Sequence, residues 1–530
     1  MKKLMKMVLG TWSVLRSICV GGCLVLGAEA GTAAGMLRGE GELPDGYTRV
    51  EYIEPKGVGE YIDTEFCPTT NTCIAAEFTA LPQTDENGVL FGVSDGKEIQ
   101  DEEGNVIEDP SSSVLLRYNG GTGNLNGWFC NTNASEAVSA NEFGGDQSVT
   151  TKVKLESGRM LLNGDTYAVT TTGMPVKASI YVFACNLGGI ASNPQAMRLR
   201  AFDIYTNGVH VCEFVPCVND KERVGLFDLK SGKFHPLQLP AGYTELASIV
   251  AARGAYIDSG YKPNHNTRVA MDVKVQGAGE YWFGCWDFDY NNGAYALGND
   301  GNNLYAGYGN QGGNVGAIVA IDLRHMVELD ENVVKVDGSQ VSVFDVQTFS
   351  SLTNSLYLFA QNRNGSLCVQ EWQKPIVCHG CWIYEGGMLL HNFVPCVNSS
   401  GRSGLYDFVK GEFLPLQLPV GYVPQDSIVV PRDDGKHIDT GYRPSSDTRV
   451  AMDVTVQGTE EYWFGCWDRD YNDGAFGFGN DGWGVYAGYG KQGGTFGSPV
   501  ASGRHKVELD KNLVKVDGGL VRAFNAETFA

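Results

Sequence analysis

Histidine, positive charge and long apolar runs are all scarce in this chain. Of its 530 residues only 8 are His, and 40 Lys plus Arg face 62 Asp plus Glu, for a formal net charge of −22. Binding to phosphates needs clustered Lys and Arg. No such stripe occurs, so nucleic acid is excluded as a partner. Beyond the N-terminal region no segment has 18 apolar residues in a row, so no transmembrane segment is expected after it. No glycine-rich phosphate loop leads into a helix. No stretch holds a 3.6-residue apolar period for the length of a helix. What the chain does have is glycine, 69 residues of it. Short runs of Val, Thr, Asn and Tyr lie between Gly-rich turns, the composition of an all-β protein with long loops.

The first thirty residues have the layout of an export signal. Lys2, Lys3, Lys6 and Arg16 make a basic start, Ser17 to Leu26 is a short apolar run, and Ala28-Glu29-Ala30 is a small-x-small cleavage site. A signal over 1–30 followed by a linker over 31–42 predicts a secreted or cell-surface protein. Val20-Gly21-Gly22-Cys23 is a poor match to a lipoprotein processing site. Twelve of the fourteen cysteines lie beyond this segment, scattered instead of set out as a disulfide framework. Cys378-His379-Gly380-Cys381 is the one tight pair and is at best half of a zinc site; a structural or disulfide role is expected. Cys285 and Cys466, and likewise Cys217 and Cys396, stand at equivalent places and read as small buried residues.

Equivalent places exist because the chain repeats itself. Residues 266–286 and 447–467 are identical at 17 of 21 positions, at an offset of 181 residues. That is the size of a domain, far above the ~20–50 residues of a solenoid unit. A more divergent copy lies upstream. Phe214-Val215-Pro216-Cys217 returns as Phe393-Val394-Pro395-Cys396, and Gly225-Leu226-Phe227-Asp228 as Gly404-Leu405-Tyr406-Asp407. Three units follow, over 43–240, 241–419 and 420–530. The third lacks everything that corresponds to 351–419, which predicts an incomplete last unit, a piece of a longer reading frame.

Strand patterns fill each unit. Val269, Met271, Val273 and Val275 alternate with Arg268, Ala270, Asp272 and Lys274, a half-buried strand of period two. Residues 326–338, 506–518 and 153–164 read as one recurring hairpin. Leu356 to Ala360 is a short apolar run suited to a strand covered on both faces. Closely spaced short strands with turn signals indicate a β-sandwich.

Several of these elements, in order, resemble the concanavalin A-like, laminin-G-like jelly-roll domains of secreted bacterial and phage proteins. They are Tyr256-Ile257-Asp258-Ser259-Gly260-Tyr261, the Thr267-Arg268-Val269 strand, Trp282-Phe283-Gly284, the Leu356-to-Ala360 strand, and the closing Phe393-to-Asn398 and Gly404-to-Asp407 stretches. The set spans nearly all of the second unit, both ends of the first and two thirds of the third. The resemblance implies an all-β chain of tandem concanavalin A-like jelly-roll β-sandwiches, the last one truncated. It also implies, for many members, binding to glycans or cell-surface proteins.

Concanavalin A-like glucanases carry Glu-x-Asp-x-x-Glu on one strand, two of its carboxyls flanking the scissile bond. Glu328-Leu329-Asp330 and Glu508-Leu509-Asp510 begin that pattern, but Val333 and Leu513 stand where the third acid belongs, and the first unit has only Glu156-Ser157. A hairpin end with Asp330 and Asn332 as turn residues is the better reading. His325 and His505 each follow an Arg and precede a strand, with no evident Ser or Cys partner. No enzyme activity is expected.

The best binding candidate is the loop after Trp-Phe-Gly. In the second unit it carries Trp286, Asp287, Asp289, Tyr290 and Asn291, joined by Tyr308; in the third, Trp467, Asp468, Asp470, Tyr471 and Asn472, joined by Tyr489. One reading is a sugar platform, with ring faces for stacking and Asp and Asn for hydroxyls. A second is a calcium loop from the Asp-x-Asp-x-Asn spacing, although Gly293 sits at the seventh place instead of the sixth and Gly298 at the twelfth, where Glu is required. In the third, the aromatics fill the core and the Asp and Asn residues make turns. No resident cofactor is expected. Adhesion or glycan recognition without catalysis is the leading expectation for the chain. Structural spacer repeats without ligand, or accessory modules of a larger carbohydrate-active enzyme, are the alternatives.

Overall fold

The period-two segments form strands, and strands account for all the regular structure. The computed structural model describes residues 41–525 apart from 82–87, 95–97, 101–105, 109–112, 120–123, 131–148, 170, 172, 174–176, 278, 288–292, 301–302, 317–318, 346–348, 350–351, 371–372, 420–421, 423–436, 441, 459 and 468–474. Among the described residues there is no helix, and so none long and apolar enough to cross a membrane. The export segment, with Cys23, lies outside the described residues.

The chain divides into two compact units, 1–423 and 424–530. The first holds two sandwiches of the same plan. In the first sandwich the large sheet runs Asp165–Ala168, Arg159–Leu162, Thr151–Glu156, Thr72–Ala80, Met197–Thr206, Val209–Asn219, Val224–Asp228 and Lys233–Pro236. The second repeats this order as Ser339–Val343, Val333–Val336, Arg324–Asp330, Thr267–Lys274, Ile376–Glu385, Met388–Asn398, Ser403–Asp407 and Glu412–Pro415. A smaller sheet faces each large one. In the second sandwich it is built on Glu280–Trp286, which pairs antiparallel with Ala294–Asn299 and parallel with Gln361–Arg363.

The core lies between the sheets. Val269, Met271 and Val273 are fully buried in it with Trp282, Phe283, Tyr295 and Tyr308. Arg268 and Asp272, on the other face, ion-pair with Glu328 and Arg324 on the neighbouring strand. The recurring hairpin is present in all three repeats, and its turn residue is left-handed in the second and third, Glu331 at φ 52° and Lys511 at φ 55°. The run at Leu356 is a two-residue strand, Tyr357–Leu358, and Leu356, Leu358, Phe359 and Ala360 are all buried.

The second unit contains one sandwich with four described strands in each sheet. Arg449–Val456 pairs only with Gly503–Asp510 among the described residues. Its counterpart in the second sandwich, Thr267–Lys274, is covered on both edges. Met452 is accordingly 37% exposed where Met271 is 0%. Cys466 is exposed too, which corrects the expectation that it is buried like Cys285. The strands Tyr357–Leu358 and Gln361–Arg363 that flank Cys285's strand have no described counterpart beside it.

Side chains join the first two sandwiches into one unit. Tyr406 Oη donates to Glu60 Oε1 at 3.0 Å, and the Lys56 N–H donates to Glu60 Oε2 at 2.8 Å. Tyr384 Oη donates to Glu222 Oε1 at 3.0 Å, and Asn392 Nδ2 to the Glu222 carbonyl at 2.7 Å. The Arg223 guanidinium lies 4.6 Å from the Phe408 ring centroid. Val394, Cys396, Tyr406 and Phe408 of the second sandwich belong to the same apolar cluster as the core of the first. A Cβ at Gly57 would come within 1.9 Å of Tyr406 Oη, so a larger residue there would displace the Tyr406–Glu60 bond.

Candidate functional site

The Trp-Phe-Gly strand contains a bulge, and the bulge decides where the candidate aromatics point. The register of Glu280–Trp286 against Ala294–Asn299 shifts between Tyr281 and Phe283. Trp282, Phe283 and Cys285 all enter the inter-sheet core. Alternation then turns Gly284 and Trp286 to the opposite face. That face is covered as well. Arg363, paired with Trp286 in the parallel strand, sets its guanidinium 5.6 Å from the indole centroid, and Trp286 is 1% exposed.

Tyr308 is an inter-sheet residue with 0% exposure, stacked on Phe344 at 6.1 Å and tilted against Phe349 at 4.7 Å. Tyr489 repeats this in the third sandwich, 1% exposed and stacked on Phe524 at 6.1 Å. These three placements correct the sugar-platform reading: Trp286, Tyr308 and Tyr489 have no open ring face and serve packing. Asp289, Tyr290, Asn291, Asp468, Asp470, Tyr471 and Asn472 lie outside the described residues. Trp467 ends its strand at the pairing Trp467↔Ala475.

Asp287 is used as a local cap. Its carboxylate accepts from the Thr353 N–H at 2.9 Å, Thr353 Oγ1 at 2.9 Å, the Asn354 N–H at 3.2 Å and Asn354 Nδ2 at 2.8 Å. Four donors on one carboxylate fill its lone-pair sites, so Asp287 cannot open a calcium loop without unmaking the turn at 353–354. Among the described residues no group of His, Cys, Asp and Glu is arranged to hold a metal ion. With the Asp287 carboxylate already filled, calcium at millimolar concentration is expected to leave the thermal unfolding of the full chain where EGTA leaves it. A rise of several degrees would return the 286–293 loop to the calcium reading.

The carboxylates of the glucanase-like pattern are held in ion pairs. Arg268 reaches Glu328 at 2.8 Å and Lys335 reaches Asp330. In the third sandwich Arg449 meets Glu508 at 3.0 Å and Lys515 meets Asp510 at 2.9 Å. The Arg449 bond holds the Glu508 carboxyl below its ordinary range, and the Lys515 bond does the same for Asp510. A general acid in a glycosidase needs the opposite shift. His325 is fixed by Asp337 at 2.8 Å and the Ala320 carbonyl at 3.1 Å, so both ring nitrogens are engaged; His505 pairs with Asp517 at 2.7 Å. Cys378 and Cys381 are buried core thiols without a disulfide. Burial pushes the Cys378 thiol up to about 12 and Cys381 well above its usual value.

Sequence reading missed a groove of about 310 Å³ on the outer face of the first sandwich's large sheet, lined by Glu77, Arg200, Asp203 and Glu213 among others. The second sandwich has Trp382 at the place of Asp203, packed over Gly380. The acids of the groove are paired, Asp203 with His210 at 3.0 Å, Glu213 with Lys230 at 2.7 Å and Glu77 with Lys152 at 3.7 Å. Burial raises the Asp203 carboxyl to about 6.

No protein-family model matches the chain, and no curated protein matches it. Among solved structures, domains LG4-5 of the mouse laminin alpha1 chain are similar to it with a TM-score of 0.24 and 11% identity, over 68% of this chain and 93% of that one. NanB bound to optactamide gives a TM-score of 0.22 and 8% identity, over 87% and 92%. A mutant of the NanB sialidase from Streptococcus pneumoniae gives 0.20 and 10%, over 88% and 91%. The sandwich assignment rests on the chain's own strand order.

Proposed function

We propose that this chain is an exported, non-catalytic surface protein whose repeated sandwiches bind glycans or cell-surface proteins. The observation that carries the reading is the tandem itself. One sandwich plan occurs twice and recurs in part in the third copy, and the first two copies are joined by a side-chain-filled junction. Weak sites at fixed spacing on one chain gain avidity that a single module lacks. The paired state of Glu328, Asp330, Glu508 and Asp510 fits a role without hydrolysis.

A structural spacer is the second reading, favoured by the burial of Trp286, Tyr308 and Tyr489. The full chain, screened on immobilised oligosaccharides and on intact cell surfaces, separates the two. Retention on at least one surface is expected. Retention on none selects the spacer.

A further inference from the structure

The most exposed large apolar side chain among the described residues is Trp483, at 86%. It stands on the turn between Ala475–Asp481 and Val485–Gly490 of the third sandwich. Both strands are paired along their lengths with described neighbours, so the exposure belongs to the turn itself and not to an open sheet edge. The second sandwich has Asn302 at the corresponding place in an otherwise similar Asn-Asp-Gly sequence. The indole is an addition peculiar to the third copy.

The turn fixes the backbone that carries that ring. Asp481 Oδ1 accepts from the Trp483 N–H at 3.1 Å and from the Gly484 N–H at 3.1 Å. Thr495 Oγ1 donates to Asp481 Oδ2 from the neighbouring strand, and the Asp481 N–H closes the turn on the Gly484 carbonyl at 3.2 Å. An Asx-type turn of this kind removes backbone freedom before any ligand arrives.

Three occupants suit an exposed indole differently. A protein partner buries its anchors inside a ring of further contacts that excludes water, but the residues beside Trp483 are Gly482, Gly484 and, across the turn, Thr495. A membrane surface calls for several apolar side chains with basic ones, whereas this chain carries a net charge of −22. A pyranose ring needs one flat apolar face under its C–H side while its hydroxyls stay in water or meet a few polar groups, as Trp offers with an apolar body among polar neighbours. We infer that Trp483 is the stacking platform of a saccharide subsite on the third sandwich. This rests on the glycan arm of the proposed function and assigns it a residue.

The experiment screens the full chain on an array of immobilised oligosaccharides built from neutral hexoses, N-acetylhexosamines and uronic acids. The strongest hit is then titrated against wild type, Trp483→Ala and Trp483→Asn. Both substitutions are at an exposed position and should leave the thermal unfolding curve unchanged. Affinity is expected to fall on the order of tenfold or more in both variants, as for truncation of an anchoring aromatic. Unchanged affinity in the variants overturns the assignment of Trp483 and leaves glycan binding standing. A wild-type chain that retains no oligosaccharide overturns the glycan reading, and the subsite with it.

Discussion

Trp286→Ala is expected to destabilise the second sandwich by about 3–5 kcal/mol, the range for truncating a buried large aromatic, and to alter ligand binding only through unfolding. The indole is 1% exposed, lies under Arg363, and its backbone carbonyl accepts from Asn354 Nδ2 at 3.0 Å. Alanine would remove the ring on which the Arg363 guanidinium rests and leave a void on that face of the sheet. Calorimetric unfolding of the full chain should show the transition of the second sandwich moved down by roughly 10 °C, at ~2–4 °C per kcal/mol for a domain of this size. A melting curve like that of wild type would mean that the ring is free in solution, and would restore the loop at 286–293 as a binding platform.

Raising the pH from 5 to 8 is expected to weaken the junction between the first two sandwiches by an amount on the order of 3 kcal/mol. Glu60 is 1% exposed, and burial lifts its carboxyl from 4.5 to about 7 despite hydrogen bonds from the Lys56 and Gly57 N–H groups and from Tyr406; the neighbouring Asp407 adds to the rise. The docked state therefore binds a proton that the separated or unfolded state releases near 4.5. Its contribution is complete below that value and is lost as the pH passes through about 7. Burial raises Glu222, the second junction carboxyl, in the same direction. His391 lies 2.6 Å from Asp407 on the strand beside Tyr406, with its ring against Tyr261 and Phe393 of the second sandwich's own core. Glu60→Gln keeps the shape and removes the titration. The variant should flatten the pH dependence of the lowest-temperature transition, whereas an equally steep profile would place the titrating group elsewhere. Burial raises Glu54 and Glu156 but their cation partners outweigh it and hold both below 4.5, so these groups take stability away as the pH falls below that value, and the comparison with Glu60→Gln isolates the junction.

The sandwich was legible in the sequence because its signals are local. Val269, Met271 and Val273 alternate with polar neighbours and are buried as that pattern requires. The hairpins at 153–164, 326–338 and 506–518 announce themselves by Asn, Asp and Gly between apolar pairs. Trp286 was not legible. One bulged residue reverses the facing of everything after Tyr281, and the strand that covers Trp286 begins at Gln361, 75 residues downstream.

The junction was hidden for a different reason: its residues depart from the repeat instead of obeying it. Glu222 adopts φ 56° where the second sandwich uses Gly401 at φ 78°. A left-handed glutamate costs roughly 1–2 kcal/mol, and here it carries the bonds to Tyr384 and Asn392. Glu60 stands where the other copies have Ala255 and Lys436, and Trp483 where the second has Asn302. Differences between copies were the available signal for all three. Attention to what the copies share leads to the core instead.

Retention of the full chain on a glycan-coated surface at rising ligand density measures whether the repeats bind a surface ligand together. Apparent affinity is expected to climb by on the order of 10²-fold once neighbouring ligands fall within reach of more than one sandwich. No retention at any density, on any glycan or cell-surface protein, would contradict it.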